Sequence, residues 1–364
     1  MTRKALLRAT YERSRDVLRD CALENGAIVA ANTDKPYTPR SATDYRSVWP
    51  RDAAFVCLAA ISLGMPEIVD RFLLWLEEKP EGFYKEKLLY QKYSTNGRRQ
   101  GWQFQPDQMG IVLCLISWYT SGDRNKAERF SPLITRLADG LHSAWNGRFF
   151  SRHVTDLWEQ EHLHTTWTME NNYTYTLAAC SKGLFVAHSL FPNESWKSAA
   201  TEMAEAIDRA YSETAGHFLR NHGKVDDANI DASLLGLAWP FAVCKPADPR
   251  MKKTVDAIER TLVRNGGVHR FQFDYYDGEG SAQEGGGAWP VLNFWMAIVL
   301  QTAGKSKKAR EYFFWVIDRV HSEAEKYNGY LPEQIFDDDR IGIYPLAWSH
   351  AMFIIASHTL GIAP

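Results

Sequence analysis

Paired cysteines, long apolar runs and clusters of basic residues are all missing from this sequence, and each absence excludes a class of protein or site. Among 364 residues there are five cysteines and no CxxC pair, which argues against a disulfide framework and against a zinc site. The longest apolar stretches end well before membrane-spanning length. With no run of Lys or Arg and a formal net charge of -2, the sequence lacks the electrostatic footprint of a nucleic-acid binder.

The N-terminal segment argues against secretion. Residues 1–4 lead straight into an amphipathic pattern, without the apolar core and small-residue cleavage site of a secretory signal. We therefore expect a cytoplasmic protein that binds neither nucleic acid nor membranes; the sequence gives no oligomeric state. Most cysteines stand in apolar helical runs, where a cysteine is usually a small buried hydrophobe. They are Cys21, Cys57, Cys114, Cys180 and Cys244.

Helical periodicity, in contrast, is present along most of the chain. The spacing of apolar residues predicts twelve helices, over residues 3–23, 51–64, 66–78, 107–121, 124–144, 168–190, 193–212, 230–243, 247–265, 289–303, 305–320 and 346–360. Short links that contain helix breakers join these helices in pairs. Long links separate the pairs, over residues 24–50, 79–106, 145–167, 213–229, 266–288 and 321–345.

This alternation of link lengths predicts a topology. A short link makes two helices pack side by side and antiparallel, so five short links give five hairpins, and the first and last helices form a sixth. Helices that follow long links are apolar all round, which is typical of an inner ring, whereas their partners carry charged outer faces. We therefore predict an all-α fold, an (α/α)6 barrel of six helical hairpins, as a single catalytic domain over residues 1–364.

Two glutamates in long links indicate the chemistry. Glu159 lies in the segment 156–160 and Glu333 in the segment 331–334, and both segments lack helical periodicity and precede apolar helices. Hydrolysis of a glycosidic bond needs two such carboxyl groups, one to protonate the leaving oxygen and one to activate water. Trp158 offers an apolar wall that would raise the pKa of Glu159, as a general acid requires. The alternative for each is a solvated loop carboxylate.

Other polar residues open predicted inner helices and have a structural alternative. Arg51 and Asp52 follow Pro50 at a helix start, where Asp52 suits the helix dipole; the pair also offers a donor and an acceptor to sugar hydroxyls. Asp107 likewise opens a helix, so capping is its alternative role. Trp102 suits either stacking on a sugar ring or packing in the core.

Three further patterns are weaker. His162 and His164 stand two residues apart, but no matching set of cysteine, histidine and carboxylate completes a metal site, so none is predicted. The acidic run 226–231 is typical of a helix cap. Ser349 and His350 are adjacent on a helix and therefore point in different directions, which argues against a nucleophile–base pair.

Taken in order, these segments resemble glycoside hydrolase family 15, the group of glucoamylases, glucodextranases and trehalases. The resemblance rests on GAIVAANT at 26–33, VWPRDAA at 48–54, GWQFQPDQMG at 101–110, DLWEQ at 156–160, VHRFQFDYY at 268–276, GYLPEQ at 329–334 and PLAWSHA at 345–351. It implies that Glu159 is the general acid and Glu333 the general base. The substrate-binding residues that it implies are Tyr45, Trp49, Arg51, Asp52, Trp102, Gln105, Asp107, Trp158, Gln160, Arg270, Asp274 and Trp289.

The resemblance implies an inverting, exo-acting α-glucosidase that needs no metal and no organic cofactor. Its expected substrate is a small oligosaccharide or disaccharide, whose linkage, α-1,4, α-1,6 or α,α-1,1, stays open. Gln160 departs from relatives that carry a second carboxylate directly after the acid, which leaves substrate length open. One alternative is a disaccharide phosphorylase on the same ring, with an anion site in place of the base. Another is a non-catalytic sugar-binding or regulatory domain.

Overall fold

The computed structural model describes residues 2–160, 170–274 and 286–364, and these are mainly helical. In chain order the helices are α1 (Arg3–Cys21), α2 (Pro50–Ser62), α3 (Pro66–Glu78), α4 (Phe83–Glu86), α5 (Asp107–Tyr119), α6 (Arg124–Ala127), α7 (Ser131–Ala144), α8 (Thr174–Leu190), α9 (Glu194–Arg209), α10 (Pro249–Leu262), α11 (Pro290–Thr302), α12 (Ser306–Ser322), α13 (Ala324–Tyr327) and α14 (Ala347–Thr359). Short 3-10 segments cover Arg40–Tyr45, Glu128–Phe130 and Ala232–Leu237.

Six apolar elements close into an inner ring. Helix α2 packs against α5, α5 against α8, α8 against the 3-10 segment Ala232–Leu237, that segment against α11, α11 against α14, and α14 back against α2. Every residue of α11 from Pro290 to Leu300 is buried, as expected for an element with neighbours on all sides. Helices α5 and α8 touch backbone to backbone, because a Cβ on Gly110 would stand 2.3 Å from the carbonyl oxygen of Ala179.

A second layer of helices covers the ring from outside. Helix α3 packs on α2, α7 on α5, α9 on α8, α10 on the 3-10 segment and α12 on α11, while α1 packs on α14. The first and last helices therefore form a pair, as the sequence predicts. The outer helix α10 buries Met251, Val255 and Ile258 at helical spacing and exposes its charged face. The predicted (α/α)6 barrel is confirmed.

The predicted eighth helix, over residues 230–243, is wrong. The structure has the 3-10 segment Ala232–Leu237 there, capped by Asp231, whose carboxylate accepts the backbone N–H of Ser233. Pro240 lacks a backbone donor and disfavours a helical conformation in the residue before it, so a regular helix cannot continue. Gly236 lets Tyr175 of α8 pack closely, because a Cβ at this position would stand 2.6 Å from the tyrosine ring.

Some predicted helices are shorter or divided. The predicted helix 124–144 is divided into α6, the 3-10 segment Glu128–Phe130 and α7, since Pro132 suits only the first turn of a new helix. Parts of three other predicted helices, over residues 168–190, 193–212 and 247–265, instead form short strands that pair with strands of the long links. These strands pair antiparallel as β1 (Asn171–Tyr173) with β4 (Asn221–Gly223), β2 (Tyr211–Ser212) with β3 (His217–Phe218) and β5 (Val263–Arg264) with β6 (Gly267–Val268).

All five cysteines are buried and unpaired. Across the described ranges, no helix combines the length and apolar character that crossing a membrane requires.

Candidate active site

A pocket of about 250 Å³ lies where five of the six long links meet the ends of inner helices. Arg51 and Asp52 come from the first turn of α2, and Trp289 and Leu346 directly precede α11 and α14. The pocket brings both predicted catalytic glutamates to one cavity. Its wall is formed by Ala30, Asp44, Tyr45, Trp49, Arg51, Asp52, Lys92, Leu157, Trp158, Glu159, Arg270, Trp289, Glu333, Leu346 and Trp348.

A tight turn presents Glu159 to the pocket. The Asp156 carboxylate accepts hydrogen bonds from the backbone N–H groups of Trp158 and Gln160, each at 2.9 Å. These two N–H groups therefore bond to a side chain and not to the backbone carbonyl groups that a strand or helix would supply. Glu159 itself has a left-handed backbone conformation, with φ of 64°. Such a conformation is uncommon in a residue with a side chain and persists where neighbouring bonds enforce it, often at functional positions.

Two donors orient the Glu159 carboxyl group. The indole N–H of Trp49 donates to Oε1, and the side-chain amide of Gln91 donates to Oε2. Trp49 directly precedes α2, whereas Gln91 lies in the second long link, so two separate links fix one carboxyl group. Sequence reasoning missed Gln91, because nothing in its local pattern distinguishes it from a solvated loop residue.

Glu333 is the buried carboxyl group of the pocket, with 8% of the residue exposed. The Tyr45 hydroxyl donates to its two oxygens, at 3.0 and 2.9 Å. Burial raises the pKa of Glu333 to about 7, although the Tyr45 hydrogen bond and the Arg270 charge both lower it. The carboxylates of Glu159 and Asp52 raise this pKa further, since like charges disfavour ionisation.

The segment before Glu333 is held by the start of α14. The Nε2 atom of His350 accepts the Leu331 backbone N–H at 3.0 Å, so the ring proton lies on Nδ1, which donates to the Ser14 hydroxyl at 2.8 Å. Burial lowers the pKa of His350 to about 3, which keeps the ring neutral. Ser349 donates from Oγ to the Pro332 carbonyl at 2.7 Å. The adjacent Ser349 and His350 thus fix the two peptide groups that lead to Glu333.

Arg51 forms the floor of the pocket with Asp52. Its Nε donates to Asp52 at 3.2 Å, and its NH1 lies 3.3 Å from the Gln105 oxygen and 3.4 Å from an Asp107 oxygen. Burial raises the pKa of Asp52 to about 6, and it also raises that of Asp107. Gln105 and Asp107 are absent from the pocket wall. They hold Arg51 from behind the wall, and their contact with a sugar stays a prediction.

Arg270 is held in the same way by a residue outside the wall. Its guanidinium forms two hydrogen bonds to Asp274, at 2.8 and 2.7 Å, and both side chains are about 1% exposed. The guanidinium carbon lies 5.6 Å from the ring centre of Trp158 and 5.0 Å from that of Trp289. Asp274 therefore supports Arg270 from outside the wall, and its contact with a sugar stays a prediction.

Two predicted contacts lie elsewhere. Trp102 is 78% exposed, and its ring packs against the Arg99 guanidinium 4.7 Å away, outside the pocket. Gln160 belongs to the turn that presents Glu159, but it does not line the wall. Sequence reasoning also missed Lys92, which lies on the wall. Trp348 belongs to the segment 345–351, but the sequence predicted no role for it; it lies on the wall beneath Arg51.

Within residues 2–160, 170–274 and 286–364, no group of three or more His, Cys, Asp or Glu side chains is arranged to hold a metal ion. His162 and His164 lie outside the described residues.

Comparisons with known proteins agree with this architecture. An uncharacterised glycosyl hydrolase of Methanocaldococcus jannaschii is 27% identical over 363 residues, covering 91% of this chain but only 52% of that protein. The chain thus spans about half the length of this relative. A protein of Kribbella flavida named isomaltose glucohydrolase is 25% identical over 389 residues, covering 95% of this chain and 94% of that protein.

A solved structure of a glycosidase variant in complex with glucose superposes with a TM-score of 0.81, at 22% identity, over 99% of this chain and 98% of that one. At this identity the likeness concerns the fold. The sequence profile of the family described as "Glycosyl hydrolases family 15" matches residues 18–100 and 76–358. The chain therefore belongs to glycosyl hydrolase family 15.

Proposed function

We propose that this protein is an inverting, exo-acting α-glucosidase that releases glucose from the non-reducing end of small α-glucosides. The observation that carries the proposal is the placement of Glu159 and Glu333 on one pocket, where each carboxyl group is oriented by hydrogen bonds from links other than its own. Two carboxyl groups facing one cavity suit acid–base hydrolysis of a glycosidic bond.

In this reaction Glu159 is the general acid and Glu333 the general base. Glu159 gives its proton to the glycosidic oxygen as the bond to the anomeric carbon breaks. Glu333 takes a proton from the water that attacks the same carbon from the opposite face. The hydrogen bond from Tyr45 and the charge of Arg270 both lower the pKa of Glu333 and so favour the ionised form that a base needs.

The floor of the pocket is proposed to hold the terminal glucose. Asp52 is 14% exposed at its side chain and accepts only from Arg51 among the described residues, so its second oxygen suits a sugar hydroxyl. Arg51 and Arg270 are each fixed by a carboxylate outside the wall, which keeps their positions independent of the ligand. Trp348 and Trp158 supply the apolar surface that the faces of a sugar ring need.

The size of the cavity supports exo action on small substrates. Drug-sized ligand sites usually measure roughly 300–1,000 Å³, and this pocket of about 250 Å³ is smaller. Its floor is formed by the starts of inner helices, so a chain cannot thread through. We also propose that residues 1–364 form one catalytic domain, since their helices pair around a single ring, first with last.

The test is a screen of the purified protein against maltose, maltotriose, isomaltose, panose and trehalose, with glucose release as the readout. Isomaltose comes first, because a relative matched over 94% of its length is named isomaltose glucohydrolase. Glu159→Gln serves as the inactive control, and we expect its rate to fall by about 10²–10⁴-fold. Sugar binding without glucose release by the wild-type protein would contradict the proposal and favour the regulatory alternative.

A further inference from the structure

A second depression, of about 340 Å³, adjoins the mouth of the catalytic pocket. We name it the mouth groove. It shares two residues, Asp44 and Lys92, with the pocket wall, so a ligand that leaves the pocket on this side enters the groove. The groove is lined by Asp44, Ser47, Lys92, Arg98, Arg99 and Gln100.

A short antiparallel hairpin aims two cations at the groove. The Gln100 N–H donates to the Lys92 carbonyl, the Ser94 N–H donates to the Arg98 carbonyl, and Tyr93 bridges Arg99. Because side chains alternate between the faces of a strand pair, Lys92 and Arg98 share one face. Arg99 starts from the other face, although it too lines the groove.

These two cations are free of carboxylate partners, whereas Arg99 is not. The structure gives no ion pair for Lys92 or Arg98 within the described ranges. Arg99 forms an ion pair with Glu86 at 2.8 Å and stacks on the Tyr90 ring at 3.9 Å. Arg98 is exposed, and the Lys92 ammonium lies 4.9 Å from the ring centre of Trp49.

The charge balance of the mouth groove is therefore positive. Asp44 is the one carboxylate among its lining residues, against the two unpaired cations Lys92 and Arg98. This positive patch is a local exception, because the whole chain has a formal net charge of -2. An anionic group in the groove would meet a net positive charge, because Asp44 alone does not balance Lys92 and Arg98.

The groove also lies on the side of the pocket where the leaving group departs. Trp49, which packs under Lys92, donates its indole N–H to Glu159, and Gln91, the residue before Lys92, donates to the same carboxyl group. In the proposed reaction Glu159 protonates the oxygen of the leaving group. The leaving group therefore extends past Lys92, while the terminal glucose occupies the floor near Arg51.

We propose that the mouth groove binds an anionic leaving group, so that the preferred substrates are α-glucosides whose aglycone carries a carboxylate or a phosphate. This inference rests on the proposed function for the direction of the substrate. Lys92 makes the contact nearest the scissile bond, and Arg98 makes the second contact farther out. Hydrolysis itself is unchanged: water adds across the glycosidic bond, and the acidic aglycone leaves as the free alcohol.

The first experiment measures binding without turnover. In a Glu333→Gln background, dissociation constants are determined by calorimetry for maltitol against maltobionate, and for trehalose against trehalose 6-phosphate. Each pair differs mainly by one anionic group, carboxylate in the first and phosphate in the second. We expect the anionic member of at least one pair to bind about 10-fold tighter, and raising the salt concentration to shrink this preference.

Charge-removing variants locate the effect. Lys92→Met should reduce the anionic preference to about 2-fold or less, and Arg98→Gln should reduce it in part. Lys85→Met removes the same charge from an exposed position outside the groove and should keep the preference. If Lys92 had only a structural role, Lys92→Met would weaken the binding of neutral and anionic sugars by the same factor. The ratio of their dissociation constants would then stay unchanged.

Turnover separates this inference from the proposed function. If the wild-type protein releases glucose from neutral glucosides but shows no anionic preference in binding or in kcat/KM, the groove proposal is overturned and the α-glucosidase stands. An anionic preference that survives both Lys92→Met and Arg98→Gln would also overturn it. Tight, Lys92-dependent binding of an anionic glucoside without glucose release would support the groove and contradict the enzymatic proposal.

Discussion

Replacing Glu333 by Gln should lower activity and raise stability at the same time. The substitution keeps the size of the side chain and leaves an oxygen to accept the Tyr45 hydroxyl, but it removes the titrating group. If Glu333 activates the water, glucose release should fall by about 10²–10⁴-fold. Stability should rise because the folded protein no longer holds a buried carboxylate at neutral pH.

The size of the stability gain follows from the pKa. Burial raises the pKa of Glu333 from an ordinary 4.5 to about 7. The folded state therefore holds its proton more tightly than the unfolded chain, so this group favours folding most below pH 4.5 and loses that contribution as the pH rises through 7. Since a tenfold change in an ionisation constant corresponds to about 1.4 kcal/mol, the wild-type protein loses about 3 kcal/mol across this window.

The assay compares the two proteins by thermal and urea unfolding from pH 4 to pH 8. At pH 4, where Glu333 is protonated in both states, the stability difference should be small. At pH 8 the Gln variant should be more stable by about 3 kcal/mol, which corresponds to roughly 4 °C in Tm for a chain of this length. Glu325→Gln, at an exposed position on α13, is the matched control and should give a constant difference.

Two results would refute the reasoning separately. Turnover close to wild type in the folded Gln variant would reject Glu333 as the base. A stability difference that stays constant between pH 4 and pH 8 would instead show that Glu333 ionises normally, and the burial argument for its pKa would fail.

Four further outcomes are expected. Tyr45→Phe removes a hydrogen bond that lowers the pKa of Glu333, so the acidic limb of kcat/KM should move to higher pH. Asp52→Asn should lower kcat/KM by roughly 10–100-fold on every accepted glucoside, because all share the terminal glucose; a loss confined to longer substrates would contradict this. His350→Ala leaves the Leu331 N–H unpaired and should cost about 1–3 kcal/mol of stability and lower kcat more than it changes KM. Proton NMR in the first minutes should detect β-glucose, because in the proposed inverting reaction water attacks from the face opposite the leaving group; initial α-glucose would indicate retention.

The ring could be predicted because link length and apolar pattern are local properties of the sequence. A short link such as the one around Gly64 and Pro66 forces its helices into contact whatever the rest of the chain does. The prediction of the eighth helix was wrong because its apolar residues fit a helical pattern, whereas the backbone conformation is set by the packing of Tyr175 against Gly236 and by Pro240 beyond it. Tertiary contact outweighed helical propensity there.

Site residues could be predicted from the sequence where a motif itself lies at the pocket. They were harder to predict where a residue only supports another residue from behind the wall. Arg51, Asp52 and Arg270 lie on the wall as expected. Gln105, Asp107 and Asp274 stand behind them, a distinction that needs the positions of two links at once. Trp102 lies outside the wall, a placement that the sequence could not show because an exposed tryptophan and a sugar platform look alike there, and Gln91 carried no signal at all. The catalytic roles and the cytoplasmic location stay predictions.

The electrostatics of the site explain why a single segment cannot reveal them. The Trp158 indole, from the same segment as Glu159, donates to Asp231, and its ring flanks Arg270. Burial raises the pKa of Glu333 and that of Asp52, and the charge of Glu159 raises both further by repulsion. The pKa values of Glu333 and Asp52 therefore depend on a charge from a separate segment of the chain, and removing the Glu159 charge would lower both. This dependence exists only because closure of the ring brings these segments to one cavity, so the proton positions that hydrolysis needs are set by the tertiary fold and not by any one motif.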